Sequence, residues 1–215
     1  MRTRSLILLL LGCLSLGSPA PAAASVAVLR PVEDVSVPFW CEWGYDWDER
    51  CYRDDSSRLS IGGDVDKIWR AALRFSLGAL PPGAVVQEAW LGLWYDATCV
   101  GRYGSSRRCD GRSWTVDAHG IRDPDWLGER EVEFDPSRVD RAVLPAGAGP
   151  QWLILDVTAI VAAWATGEAA NAGILLKLAD SQEAFLGSGP RLPSAGFGTA
   201  SLRPWLEVAY GEPPE

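Results

Sequence analysis

Two segments of this chain alternate apolar and polar side chains with a period of two. From Trp69 to Leu77, the residues Trp69, Ala71, Leu73, Phe75 and Leu77 fall on one face, and Arg70, Ala72, Arg74 and Ser76 on the other. From Glu88 to Asp96, Ala89, Leu91, Leu93 and Tyr95 point one way, and Trp90, Gly92, Trp94 and Asp96 the other. Such alternation marks strands with one face in the core. Shorter runs predict further strands at Val26–Pro31, Val35–Val37, Leu59–Gly63, Trp114–Ala118, Glu129–Phe134, Trp152–Leu155, Ile174–Leu178, near Phe185, and at Leu202–Tyr210. The period changes once. Over residues 156–166, Val157, Ile160, Val161 and Trp164 share a helical face, with Asp156 as the expected N-cap and Gly167 ending the helix.

Many short strands, Gly/Pro turns such as Leu80-Pro-Pro-Gly, and one helix predict an all-β, antiparallel, jelly-roll-like sandwich. No internal repeat or Pro-rich linker divides the chain, so residues 25–215 read as one domain. Residues 1–24 read as a signal peptide: Arg2 and Arg4, the apolar run Leu6–Leu11, then Ala22-Ala23-Ala24 as the cleavage site. That run is too short to span a bilayer, which takes about 20 residues. No later segment predicts a membrane span. Leu10-Leu11-Gly12-Cys13 is also similar to a bacterial lipoprotein signal, which would place a lipid on Cys13. The expectation is a secreted or cell-surface protein, with plain secretion preferred.

Export changes the meaning of the cysteines. Setting Cys13 aside leaves Cys41, Cys51, Cys99 and Cys109, an even number that implies disulfides in an oxidising compartment. Neighbour pairing, Cys41–Cys51 and Cys99–Cys109, is the natural expectation, and arithmetic alone leaves three connectivities open. Zinc is not expected, because its structural sites usually space cysteines by two to four residues. The formal net charge is −8 and grows more negative when Arg2 and Arg4 leave with the signal. That charge excludes nucleic acid, whose binding rests on Lys and Arg neutralising phosphate.

The chain also resembles a known family. Arg70–Tyr95 is similar to the start of the DNRLRE domain, which is grouped with carbohydrate-binding module family 96. Leu155–Trp164, Asn171–Lys177 and Arg203–Tyr210 match its later segments in the same order. The resemblance implies a jelly-roll-like sandwich on exported or cell-surface proteins, sometimes beside polysaccharide-degrading domains. It further implies an acidic polysaccharide such as alginate as the ligand of some members. With a chain this acidic, such a ligand would need Arg side chains or calcium between the charges. The 41–51 loop stands where the family carries a different N-terminal stretch.

Eleven tryptophans need burial partners or ligands. Trp90 and Trp94 share the face opposite the core set, roughly 13 Å apart at about 3.3 Å per residue. Gly92 between them would leave an open groove floor, and Trp205 alternates away from Leu206, Val208 and Tyr210. Trp90, Trp94 and Trp205 are therefore the candidate carbohydrate-binding residues, against the alternative that the helix or a long loop covers them. Trp69 and Trp164 are core by pattern. In the 41–51 loop, Asp46, Asp48 and Glu49 are oxygen ligands suited to a structural calcium ion, although the spacing is not that of an EF-hand. A crosslinked turn is the first reading of that loop, and no cofactor is required. Arg102, Arg107 and Arg108 in the 99–109 loop oppose its acids in sign. Catalytic signals are thin: His119 is the only histidine, no Gly-x-Ser-x-Gly elbow exists, and Glu129, Glu131, Glu133 and Asp135 read as a solvated face. The expected function is non-catalytic binding of a polysaccharide or cell-surface glycan. A structural or adhesive role with an envelope protein partner is the alternative.

Overall fold

A computed structural model of the chain describes residues 24–41, 57–63, 67–100, 106–109, 111–126, 132–137, 140–183 and 189–212. Two antiparallel sheets face each other. The first has four strands in the order β1 (Ser25–Leu29), β14 (Trp205–Gly211), β6 (Val85–Tyr95), β11 (Gln151–Asp156). The second runs β10 (Asp140–Leu144), β9 (Trp114–Gly120), β12 (Ile174–Leu178), β5 (Lys67–Phe75), β2 (Pro31–Cys41), with the short β4 (Gly62–Gly63) also on β5. Two small ladders complete the strands: β3 (Arg58–Ser60) with β13 (Arg191–Pro193), and β7 (Thr98–Val100) with β8 (Ser106–Arg108). The protein is the all-β sandwich that the alternation predicts.

The period-two residues fill the space between the sheets. Leu91, Leu93, Leu153, Leu155, Leu206 and Val208 from one side meet Ala71, Leu73, Phe75, Val116, Ile174 and Leu176 from the other. Each large apolar side chain buried there stabilises the fold by about 1.5–3 kcal/mol. Helix α1 (Thr158–Thr166) crosses from β11 of one sheet towards β12 of the other, so it closes an end of this core. Its buried residues are Ile160, Val161 and Trp164, on the expected stripe, and Trp69 and Trp164 are both core. Asp156 is not the N-cap. It ends β11, Val157 takes the cap position, and the Asp156 carboxylate accepts from the Thr158 N–H at 2.9 Å. Gly167 ends the helix with φ 75°, a left-handed conformation that favours glycine.

A second apolar cluster lies on the outer face of the larger sheet. Val35, Val37, Ala72 and Leu175 are covered there by Ile121, Trp126 and Val132 from the segments after β9. The Trp126 indole N–H donates to the Ala172 carbonyl at 2.5 Å, which ties that cover down.

Some expected elements differ. Strand β2 is longer than Val35–Val37, because an edge strand tolerates Pro31 and Pro38 where no ladder N–H is needed. Within Glu129–Phe134, the described part makes only an isolated bridge, Ile121 to Phe134. The strand expected near Phe185 lies outside the described residues. Before it, residues Asp180–Glu183 form a single helical turn, α2.

Candidate functional site

Register places the tryptophans on the outer face of the four-stranded sheet, because directly paired residues in antiparallel strands share a face. Three of the rows that cross that face carry the tryptophans. Val28, Glu207, Trp90 and Asp156 form one row, Trp205, Gly92 and Ile154 the next, and Trp94 with Trp152 the third. Trp90, Trp94, Trp152 and Trp205 are all half-buried, so they are neither core nor fully open. Helix α1 packs its buried residues into the inter-sheet core and not across these rings.

Three of the indoles touch. Trp94 and Trp152 meet edge to face, with centroids 5.4 Å apart and planes at 66°. Trp152 and Trp205 lie 5.8 Å apart at 58°. Edge-to-face aromatic pairs contribute about 0.5–1.5 kcal/mol beyond the area they bury. Trp90 stands at the side, its indole N–H donating to a Glu88 carboxylate oxygen at 3.3 Å.

The groove floor expected over Gly92 is not open. A Cβ on Gly92 would lie 2.0 Å from Cε2 of Trp205, so the Trp205 indole lies directly over this glycine. The missing side chain makes room for a ring from the next strand. The rings are also mutually tilted rather than coplanar, so they form a faceted platform. Trp152 was missed because it opens an almost unbroken apolar run, Trp152–Leu155, whose faces cannot be told apart before pairing with β6 is known. Exposed Val26, Val28 and Ile154 extend the apolar area, and Glu88, Glu207 and Asp156 supply carboxylates within it. The rings can pack on the C–H faces of a ligand while the carboxylates accept hydrogen bonds from its hydroxyls.

The opposite outer face, on the larger sheet, carries an ionic strip in which Arg70, Asp117, Lys177 and Glu183 are buried. Arg70 grips Glu183 with two hydrogen bonds, 2.8 and 2.9 Å, and Lys177 lies 3.3 Å from the same carboxylate. Lys177 also donates to Asp180 at 2.5 Å, and Arg141 holds Asp117 with bonds of 2.6 and 2.8 Å. The hydrogen bond and charge of Lys177 hold the Asp180 carboxyl below its usual range. His119 borders this strip. It is 4% exposed, its Nδ1–H donates to the Asp135 carbonyl at 3.0 Å, and its ring packs against Phe134. Burial pushes its pKa down, with the Lys177 charge adding to the effect. A cleft of about 520 Å³ opens nearby between α1 (Ala159, Ile160, Ala163) and Arg122, Asp135 and Ser137.

The second stapled loop is formed as expected. Cys99 and Cys109 are bonded, with Cα atoms 5.0 Å apart, and the Tyr95 hydroxyl donates to Cys109 Sγ at 3.0 Å. Beside it, Arg58 pairs with Asp96 at 2.6 Å. Burial alone would raise the Asp96 pKa, but the bonds and charge of Arg58 and the bonds from Thr98 outweigh it and leave it lowered. Arg107 and Arg108 are exposed, while Arg102 lies outside the described residues. Cys13, Cys51, the calcium candidates Asp46, Asp48 and Glu49, and the carboxylates Glu129 and Glu131 lie outside them too. Among the described residues, no cluster of three or more His, Cys, Asp or Glu could hold a metal ion. No helix among them is long and apolar enough to cross a membrane.

Neither a family model nor a curated protein matches the chain. The sandwich fold is therefore established by its own coordinates.

Proposed function

We propose that this chain is a non-catalytic carbohydrate-binding protein of the cell exterior, with Trp90, Trp94, Trp152 and Trp205 as the surface that contacts a polysaccharide. The observation that carries this reading is the cluster itself. Half-exposed indoles from three neighbouring strands touch one another on the outer face of a sheet, with carboxylates among them. A ring in such a cluster loses little conformational entropy on binding, because its neighbours already hold it. The tilt between rings suits a twisted glycan chain better than a flat crystalline surface. The Cys99–Cys109 bond fits an oxidising compartment, and the likeness to the DNRLRE domain points the same way.

One feature favours a second reading, a structural or adhesive protein that docks an envelope protein partner on the same face. Val26, Val28 and Ile154 are exposed beside the indoles and make the face more apolar than a sugar needs. Affinity electrophoresis through gels containing neutral and acidic polysaccharides, with and without calcium, separates the two. Retardation by at least one glycan, abolished in Trp90→Ala/Trp152→Ala, supports the first. No retardation by any glycan refutes it and leaves the second, which predicts that Trp90→Ala/Trp94→Ala loses capture of the partner.

A further inference from the structure

His119 is the one histidine of the chain, and its ring is buried. The Asp135 carbonyl can only accept, so Nδ1 carries the hydrogen and Nε2 is bare. Nε2 is buried and has no hydrogen-bond partner among the described residues. A proton taken up there from solvent would create a buried cation, whose desolvation outweighs the backbone acceptors of Asp135 and Ser137 and the charge of Asp117.

The charged groups around the ring cannot compensate. On its own strand, Asp117 is held at both oxygens by Arg141 of β10. From β12 comes Lys177, already a cation, and from β5 Arg70, a second, whose guanidinium lies over the same Phe134 ring at 5.2 Å. From α2, Glu183 is taken by Arg70 and Lys177, and Asp180 by Lys177. From the covering segment, the Asp135 carboxylate accepts from the Ser137 N–H at 2.8 Å and faces Arg122 at 3.6 Å. Each of these described carboxylates already has a partner, so none of them is free to receive an imidazolium.

Among the described residues, the covering segment is held by a small set of contacts. Phe134 packs edge-on over His119, with centroids 5.1 Å apart. Arg122 N–H donates to the Glu133 carbonyl, Asp135 N–H donates to the Gly120 carbonyl, each at 2.8–2.9 Å, and the Asp135 carbonyl takes the His119 bond. We propose that His119 is an acid-operated release for residues 132–137: protonation at Nε2 expels the ring to water and lifts Phe134 and Asp135 from the outer face of the larger sheet. Asp135 and Ser137 also line the cleft against α1, so the release dismantles that cleft.

The direction follows from linkage. Burial lowers the folded-state pKa below the ordinary 6.5, so the closed segment is fully stable above pH 6.5 and loses stability as pH falls below it. The test uses untagged protein, in which the single imidazole resonance is unambiguous. The His119 titration is followed by NMR, together with hydrogen exchange at the Arg122 and Asp135 amides, corrected for intrinsic rate, at pH 7.5 and 5.0. Wild type should titrate below the ordinary value and lose at least tenfold protection at those two amides on acidification, while the Leu176 amide in the core keeps its own. His119→Gln should lose less than twofold. Equal acid loss in the variant, or none in wild type, overturns the proposal. Phe134→Ala provides a second arm should His119→Gln fail to fold: it should raise the His119 midpoint towards 6.5 and lower protection already at pH 7.5. An unchanged midpoint in that variant also overturns it.

Discussion

Gly92→Ala tests the placement of Trp205 with one methyl group. The new Cβ would stand 2.0, 2.3 and 2.5 Å from Cε2, Cζ2 and Nε1 of Trp205, where ordinary contact begins at 3.4 Å. Strand β6 is paired on both sides, with β14 and with β11, so its backbone cannot retreat without breaking ladders. The indole must move instead, by about 1 Å or more, and an overpacked site of this kind costs about 1–3 kcal/mol. Loss of the Trp152 contact adds about 0.5–1.5 kcal/mol. The reduced freedom of the unfolded chain returns about 0.4–1 kcal/mol. The net expectation is a loss of about 0.5–4 kcal/mol, centred near 2, or about 1–16 °C in Tm for a domain of this size. Chemical denaturation monitored by near-ultraviolet circular dichroism is the assay, since it also reports the coupling between tilted indoles. Gly198→Ala is the control, because a Cβ there meets nothing within 4 Å. The cost should vanish in Gly92→Ala/Trp205→Leu, giving a non-additive cycle. A Gly92→Ala variant as stable as Gly198→Ala, with an unchanged spectrum, refutes the placement.

Other parts of the structure predict distinct outcomes. Glu183→Gln removes the carboxylate shared by Arg70 and Lys177 and should cost about 3–5 kcal/mol in urea unfolding, because buried cations lose their counter-ion; a cost below about 1 kcal/mol would show that the strip is solvated. Cys99→Ser/Cys109→Ser opens the stapled loop and should cost about 2–3 kcal/mol, matched in wild type by adding a reductant. Trp126→Phe deletes the donor to Ala172 and should cost about 1–3 kcal/mol while leaving glycan retention unchanged. The Asp96 carboxyl is held below its ordinary 3.8, so its contribution is complete above that pH and is lost as pH falls through its folded value. Arg58→Ala should flatten the acid limb of the stability–pH curve.

The legible parts of the fold were those written locally. Residues 69–77 and 88–96 carry their buried face in the alternation itself, and the stripe Ile160, Val161, Trp164 carries that of α1. The ten-position spacing of Cys99 and Cys109 suggested the disulfide that the structure contains. What stayed hidden depends on pairing between distant segments. Gly92 reads as an open floor until β14 is laid beside β6 and Trp205 falls across it. Trp152 joins the cluster only through its register with Trp94. Arg70 reads as part of an ordinary polar face, since nothing local reveals that α2, Ile121, Trp126 and residues 132–134 cover that side of the sheet. Strand β10 was missed because five residues, Asp140–Leu144, give alternation too little length to stand out.

If a polysaccharide makes contact at the indole cluster, as proposed, it must shield those rings from solvent. Hydroxyl-radical footprinting of all tryptophans, with and without each polysaccharide of the electrophoresis panel, addresses it ring by ring. Trp90, Trp94, Trp152 and Trp205 should oxidise in the free protein and be protected by at least one glycan, while Trp69, Trp126 and Trp164 stay unreactive in both states. Unchanged oxidation of the four outer rings with every glycan would contradict it.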